Sequence, residues 1–185
     1  MVITNDPELA AKARKLRDQA YESERRYLHK ELGFSYRLTN IQAAIGLAQL
    51  ERIEDFIRIR RRNAELYSRL LRNLPLRLPI EAEWAKNIYW MYTVLVEDNF
   101  GISRDTLSSI LRQLNIDSRP FFYPIHLQPL YQHHFTGQIY PVAEDLSQRG
   151  LSLPSGNELN ESQVSHIANA ISSIYKQRVS TFHRI

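Results

Sequence analysis

Residues 33–51, GFSYRLTNIQAAIGLAQLE, hold the pattern that decides the fold, because a polar loop changes into a helix within them. Thr39 and Gln42 have the spacing of a capping box, in which each side chain bonds the other residue's backbone N–H at a helix start. Ile41 and Ile45 begin an apolar stripe at helical spacing. The segment therefore predicts a polar loop followed by an N-capped amphipathic helix.

The apolar stripe continues through Ile53 and Ile57, and no proline interrupts it before Pro75. A helix that runs unbroken to about residue 72 would be about 50 Å long. Such a helix normally bridges two domains or two subunits. We therefore divide the chain into residues 1–72 and residues 73–185, with the long helix at the junction.

The segment before the polar loop predicts one short helix. Residues 1–4 are β-prone, and Asp6 followed by Pro7 is typical of an N-cap with proline in the first helical turn. Apolar residues at helical spacing continue to about Gln19. Residues 20–35 are polar and rich in charge and tyrosine, so we expect an irregular loop there.

The segment after residue 72 predicts strands that alternate with helices. Residues 89–96, YWMYTVLV, have the aromatic and β-branched composition of a buried strand, and a second strand is expected at residues 116–122. Ser103 and Asn160 stand where helix N-caps are expected. This order indicates a small α/β or α+β domain.

Composition limits the class of protein. The chain has 43% hydrophobic and 24% charged residues, which is typical of a globular protein. No segment approaches the roughly 20 consecutive apolar residues of a membrane span, so we expect a cytoplasmic protein with no membrane partner. Cysteine is absent, which excludes thiolate chemistry. His133 and His134 have no further ligand at a metal-binding spacing, and no metal site is expected.

The formal net charge is +4, and part of the excess lies in Arg58 and residues 60–62 of the predicted long helix. A solvated helix face is the commonest explanation of such a run. A nucleic-acid interface that also uses Arg25 and Arg26 is an alternative, and it predicts binding that weakens steeply with salt. Because the net charge is modest and no motif for reading nucleic acid is present, we expect no nucleic-acid partner.

The polar loop before the long helix carries residue types suited to binding an anion. Tyr36, Arg37 and Thr39 lie where free backbone N–H groups and the helix dipole favour a group such as phosphate. Arg37 would add a bidentate contact. The alternative is a helix cap beside an exposed arginine in a salt bridge.

Residues 117–131, DSRPFFYPIHLQPLY, form a second candidate loop, whose prolines lower the entropy cost of holding side chains in place. Arg119 and His126 are suited to a sugar or a diphosphate, and we assign them with Tyr123 to substrate binding. The alternative is a stiff surface loop whose aromatic side chains pack on the core.

The segments VITNDPELAAKARKLRDQ, RYLHKELGFSYRLTNIQAAIGLAQLERI, YWMYTVLV, DSRPFFYPIH and LSLPSG occur in the order typical of one enzyme family. With them, nearly the whole chain resembles the DegT-type sugar-nucleotide aminotransferases, which depend on pyridoxal phosphate. It is most similar to the GDP-perosamine synthase branch. That branch transfers an amino group from glutamate to the 4-keto position of a GDP-linked 6-deoxy sugar.

The resemblance implies an α/β protein of the aspartate-aminotransferase type, assembled as a homodimer. This chain would then supply the end of the large domain, the long linking helix and the small α+β C-terminal domain. The resemblance also implies that Ser35, Tyr36 and Arg37 contact the phosphate of pyridoxal phosphate in the partner subunit. Ser35 departs from the asparagine that the family often has there, and its hydroxyl brings one donor.

The family's cofactor-bonding lysine lies upstream of the segment that matches residues 1–4. Amino transfer needs such a lysine to hold the cofactor and to move a proton. The lysines present lack the buried setting expected of it: Lys12, Lys15, Lys30, Lys86 and Lys176. We therefore assign no catalytic residue and expect the C-terminal part of an aminotransferase that is inactive alone. A non-catalytic dimerisation module derived from this family is the alternative.

Overall fold

The computed structural model describes residues 2–25 and 27–182, with side chains as far as residue 178. The chain divides into two compact units, Met1–Ile53 and Glu54–Ile185. This division falls before the junction expected at residue 72. The helix that precedes that junction places its own apolar side chains in the core of the second unit.

The first unit contains two helices, α1 (Pro7–Arg17) and α2 (Asn40–Leu50). Helix α1 begins where expected, because the Asp6 carboxylate accepts hydrogen bonds from two backbone N–H groups of the first turn. The capping box before α2 is complete, since Thr39 and Gln42 bond each other's backbone N–H groups. The local signals in the sequence therefore located both helix starts.

Two helices occupy the place of the single long helix that was expected. Helix α3 (Ile53–Leu71) follows α2 after a turn at Glu51 and Arg52. The Arg52 N–H donates to the Gln49 carbonyl three residues back, at 3.2 Å, which tightens the chain at that point. Neither turn residue is glycine or proline, so no helix-breaking residue marked this interruption in the sequence.

The second unit is built on a four-stranded antiparallel sheet with the strand order β1-β2-β4-β3. Its strands are β1 (Leu76–Arg77), β2 (Tyr92–Val96), β3 (Arg119–Pro120) and β4 (Gly150–Leu153). In the centre of the sheet, Val94 of β2 lies opposite Leu151 of β4. An antiparallel sheet covered by helices gives this unit the α+β class.

Three more α-helices lie in the described part of the second unit: α4 (Arg104–Gln113), α5 (Pro141–Arg149) and α6 (Glu161–Phe182). Ser103 caps α4, and Asn160 with Gln163 forms reciprocal bonds at the start of α6, as the sequence indicated. Helix α5 was not predicted, because it is short and Tyr140 at its start makes no side-chain capping bond. No described helix is both long and apolar enough to cross a membrane.

The strands are shorter than the sequence indicated. Strand β2 begins at Tyr92 rather than at Tyr89, whose φ of 46° lies in the left-handed region and ends the extended conformation. Only Arg119 and Pro120 of the expected strand at residues 116–122 enter the sheet. Residues 2–4 form no strand. The ends of a strand depend on the strands that pair with it, and those partners lie far away in the sequence. A short apolar run therefore does not specify where a strand begins or ends.

The core lies between the sheet and helices α3, α4 and α6. The rings of Tyr67 and Tyr92 stack at 4.9 Å, and both are fully buried. The Tyr67 hydroxyl donates to the Pro154 carbonyl at 3.0 Å, so its polar group is satisfied in the core. Burial raises the pKa of Tyr92 to about 12, which keeps this phenol neutral.

Replacing Leu107 with alanine should destabilise the chain by about 2–5 kcal/mol, because this fully buried side chain of α4 would leave a cavity. Leu114 ends the same helix and is 48% exposed, so Leu114→Ala should cost less than about 1 kcal/mol. Urea unfolding followed by circular dichroism measures both. Equal losses would show that α4 does not pack as described.

Candidate functional site

The loop before α2 is fixed by backbone hydrogen bonds to the end of α1. The Phe34 N–H donates to the Leu16 carbonyl at 2.7 Å, and the Tyr36 N–H donates to the Arg17 carbonyl at 3.0 Å. The Gln19 N–H donates back to the Phe34 carbonyl at 2.9 Å. Residues 34–36 are therefore held in place although they belong to no regular element.

Gly33 allows this close approach of the two segments. A Cβ atom at this position would lie 2.3 Å from the Ala20 nitrogen and 2.3 Å from the Gln19 carbonyl carbon. Both contacts are with backbone, which cannot move aside as a flexible side chain would. Gln19 and Ala20 themselves have positive φ angles of 62° and 53°, so the turn opposite Gly33 is strained. Glycine is thus a structural requirement of the loop.

Ser35, Tyr36 and Arg37 stand exposed between this fixed segment and the cap of α2. Tyr36 is 71% exposed, and its ring stacks on Phe34 with centroids 5.2 Å apart. One guanidinium nitrogen of Arg37 lies 3.1 Å from the Asp18 carboxylate. The fork of Arg37 has five N–H donors, more than this single ion pair uses. The loop therefore presents a hydroxyl and a guanidinium beside a helix N-terminus, as an anion site requires.

Lys15, in the same unit, is held in its charged form. Its ammonium lies 2.8 Å from Glu22 and 3.2 Å from Glu31. Hydrogen bonds to Glu22 and then Glu31 raise the pKa of Lys15 above its ordinary value. An amine that bonds a cofactor covalently must react in its neutral form, so these ion pairs oppose that role.

The second set of predicted site residues does not share one cavity. Arg119 lines a cavity of about 300 Å³ beside Trp90 and Asp117. His126 lines a different and more open concavity of about 530 Å³. Tyr123 is exposed. The structure therefore separates Arg119 from His126, which the sequence had grouped by their common loop.

His126 has an internal partner that the sequence did not indicate. It is only 7% exposed, and its Nε2 donates to the Glu144 carboxylate at 2.9 Å. The Tyr140 N–H donates to the same carboxylate at 3.1 Å, and the His126 and Tyr140 rings lie 4.7 Å apart. The His126 bond and then the Tyr140 N–H hold the pKa of Glu144 below its ordinary value. Pro141 at the start of α5 was the signal in the sequence that could have located Glu144.

Two arginines of the run in α3 make hydrogen bonds within the second unit. Arg60 donates to the Trp90 carbonyl at 2.7 Å. Arg61 makes a bidentate pair with Glu81 at 2.7 and 3.0 Å and also donates to the Asn87 carbonyl at 2.6 Å. These bonds fasten the segment before β2 to the helix. They account for much of the charge run that raised the nucleic-acid alternative.

No group of three or more histidine, aspartate or glutamate residues suited to a metal occurs in the described part of the chain. The His133 and His134 rings lie against each other with centroids 3.8 Å apart. Arg26, which the nucleic-acid alternative also used, lies outside the described residues.

Comparison with known proteins finds a family profile and several relatives that match the sequence of the chain. Residues 1–172 match the sequence profile of the DegT/DnrJ/EryC1/StrS aminotransferase family. The chain is 36% identical to a GDP-perosamine synthase of Vibrio cholerae, over 95% of this chain and 48% of that protein. It is 40% identical to a GDP-perosamine synthase of Caulobacter vibrioides, over 94% of this chain and 47% of that protein.

A solved structure agrees with these sequence matches. Helicobacter pylori PseC, an aminotransferase involved in the biosynthesis of pseudoaminic acid, superposes with a TM-score of 0.84 at 26% identity. The match covers 94% of this chain and 48% of PseC. The chain therefore spans about half the length of the relatives that it matches.

Gly33→Ala should displace the loop before α2, because its Cβ would overlap backbone atoms of the turn after α1. The amides of Phe34 and Tyr36, which bond to α1, should then exchange with solvent at least about tenfold faster. Amide hydrogen exchange measures this. Gly46→Ala in α2 is the matched control, because nothing lies within 4 Å of its Cβ position and alanine favours the helix. Unchanged exchange in Gly33→Ala would contradict the close approach.

Glu144→Gln should remove a stabilising charge while leaving an amide oxygen that can still accept from His126. Folding lowers the pKa of Glu144, so its carboxylate stabilises the native state above its ordinary pKa of 4.5. That contribution is lost as the pH falls through the lower folded value. The urea midpoints of wild type and variant should therefore differ above pH 4.5 and converge as the pH falls below it. The exposed Glu83→Gln is the control, and a difference that does not depend on pH would refute the prediction.

Proposed function

Because the chain belongs to the DegT/DnrJ/EryC1/StrS aminotransferase family, we propose that it forms the C-terminal part of an enzyme that aminates a nucleotide sugar. In this proposal glutamate donates the amino group to a 4-keto-6-deoxy sugar, and the perosamine-like product serves polysaccharide synthesis. We also propose that residues 1–72 are the end of the large domain with its linking helix, and that residues 73–185 form the small domain, on whose core α3 packs its apolar side. The observation that carries it is the exposed loop of Ser35, Tyr36 and Arg37, which Gly33 and α1 hold rigid.

The loop fits the phosphate end of pyridoxal phosphate. Arg37 supplies a guanidinium, Ser35 supplies one hydroxyl donor, and the N-terminus of α2 adds its dipole. When bound, the cofactor supplies the electron sink that lets an amino group pass from a donor amine to a ketone. The part that this chain plays is to fix the phosphate, because its backbone bonds to α1 keep the donors in position before the cofactor arrives.

Exposure supports a role of this loop at a subunit boundary. Ser35, Tyr36 and Arg37 lie on the surface of the first unit rather than in a closed pocket. Helix α2 has no buried residue, and its Ile41 and Ile45 are each more than half exposed. Apolar area of this kind is normally covered by protein. We propose that a second copy of the chain covers this apolar area in a homodimer. Ser35, Tyr36 and Arg37 then contact the phosphate of the cofactor in that second subunit.

The second unit supplies the substrate contacts in this proposal. Arg119 is exposed in β3 and binds an anionic group of the nucleotide sugar. Tyr123 offers an exposed hydroxyl on the loop that follows. The Nε2 of His126 is bonded to Glu144, so the contribution of His126 to substrate binding is indirect: it holds that loop in place. We assign no catalytic group to the chain, because the charged Lys15 and the exposed Lys30 are unsuited to covalent catalysis.

The decisive experiment joins the first half of the Caulobacter vibrioides synthase to this chain and assays the chimaera with glutamate and a GDP-linked 4-keto-6-deoxy sugar. We expect amino transfer by the chimaera and none by the chain alone. Arg37→Ala should weaken retention of pyridoxal phosphate by about tenfold or more, because a charge-assisted contact is lost. Arg119→Ala should instead raise the KM for the sugar substrate.

Lys12→Ala is the matched control, since it removes a positive charge from the exposed side of α1 and should leave both properties unchanged. Equal losses of cofactor in the Arg37 and Arg119 variants would refute the division of roles. A stable dimer that never aminates a sugar would instead favour the non-catalytic dimerisation module.

A further inference from the structure

The loop of residues 80–87, before β2, carries two large apolar side chains that contribute nothing to the core. Trp84 is 90% exposed, and Ile80 is 91% exposed. The proposed amino transfer gives neither side chain a task. Tryptophan is among the residues that most often anchor contacts between proteins. We therefore asked which surface could receive the ring of Trp84.

The Trp84 loop is fixed at its base by hydrogen bonds. The Glu81 carboxylate accepts from the Asn87 N–H at 2.9 Å and so joins the two ends of the loop. Arg61 of α3 holds the same carboxylate with two hydrogen bonds of 2.7 and 3.0 Å. A side chain on a loop that is already fixed loses less conformational entropy when it inserts into another surface. The exposed tryptophan is thus preorganised for such a contact.

A groove of the second unit has the size and the lining that a tryptophan ring requires. It measures about 440 Å³ and lies between the end of α4 and the start of α6. Its apolar lining includes Leu114, which is 48% exposed, and the buried Ile116 and Ile167. An apolar cavity of about 150 Å³ holds benzene, so this groove has room for an indole. In the described part of the chain, Trp84 is not among the residues that line it.

The polar groups beside Trp84 and around the groove are complementary. Lys86 follows Trp84 by two residues and is exposed, and the exposed Asp117 lines the groove. Glu83 precedes Trp84, and His166 of α6 lines the groove with ring nitrogens that can donate to a carboxylate. Pairs of this kind in solvent add little affinity, but they favour one orientation of the two surfaces.

We propose that Trp84 of one copy of this chain inserts into the groove between α4 and α6 of a second copy. The indole then packs on Leu114, and Lys86 lies beside Asp117 of the second copy. Each copy carries both surfaces, so two copies bury two tryptophans at once in a closed two-fold arrangement. This contact uses neither α2 nor residues 35–37 and is separate from the homodimer of the proposed function.

The small area of the contact sets its strength. A tryptophan buries about 150–250 Å², whereas a stable interface buries about 800 Å² on each partner. Association through Trp84 should therefore be weak and should increase with protein concentration. The measurement must report on Trp84 itself, because other surfaces of the chain can also associate.

The test uses the full chain with Trp90→Phe, which leaves Trp84 as its single tryptophan. As the protein concentration rises, the emission of Trp84 should move to shorter wavelength, and its quenching by acrylamide should fall at least about twofold. Leu114→Arg should abolish both changes, because a charged side chain then occupies the groove. Leu130→Arg is the matched control, since Leu130 is 71% exposed and lies outside the groove.

Charge reversal tests the orientation of the contact. Lys86→Glu and Asp117→Lys should each weaken the association by about threefold, because like charges then meet. The two changes combined in one chain should restore it, because each reversed charge meets its opposite on the other copy. A combined variant that associates no better than either single variant would contradict the proposed orientation.

Ile45→Arg in α2 separates this contact from the proposed homodimer and should leave the protection of Trp84 unchanged. Circular dichroism confirms that each variant is folded. The contact would be overturned if Trp84 gained no protection at high concentration, or if its protection survived in Leu114→Arg. Loss of protection in Ile45→Arg or in Leu130→Arg would assign Trp84 to a different interface and would also overturn the proposal.

Discussion

The position of strand β2 is the constraint on which the second unit depends. Both β1 and β4 hydrogen-bond to it, and its Tyr92 stacks on Tyr67 of α3 in the core. The candidate cavity depends on the same strand, because Trp90 stands just before it and Arg119 pairs with the strand next to it. Arg60 ties the entry of β2 to α3. A shift of β2 would therefore move the core and the side chains that line this cavity together.

The first unit combines a rigid loop with an uncovered helix. Gly33 permits backbone pairing between the loop and α1, so the exposed Tyr36 and Arg37 keep their positions without a core beneath them. Helix α2 leaves its apolar side chains in solvent. A helix of this composition is stable in water only when another surface covers it. The first unit thus exposes apolar area of the kind that protein normally covers.

The arginines show how much of the candidate site the sequence could indicate. Arg37 and Arg119 were selected from the sequence because they stand in polar loops, and the structure leaves both exposed. Arg60 and Arg61 have the same chemistry, but carbonyl groups and Glu81 engage them from the segment before β2. Residue type cannot separate an exposed arginine from one that is engaged inside the fold. The separation follows from contacts between segments distant in the sequence.

Local hydrogen bonding allowed the sequence alone to determine where α1, α2, α4 and α6 begin, because a capping side chain and the N–H groups it bonds lie within a few residues. The family resemblance also rested on the sequence, and the match of residues 1–172 to the family profile confirms it. Only the tertiary structure decided that β4 pairs with β2 and β3, that the chain turns at Glu51, and that Glu144 engages His126. Each of these features depends on packing or partners that the local pattern does not specify. Local propensities are too weak to determine them, so the free energy of the assembled core decides.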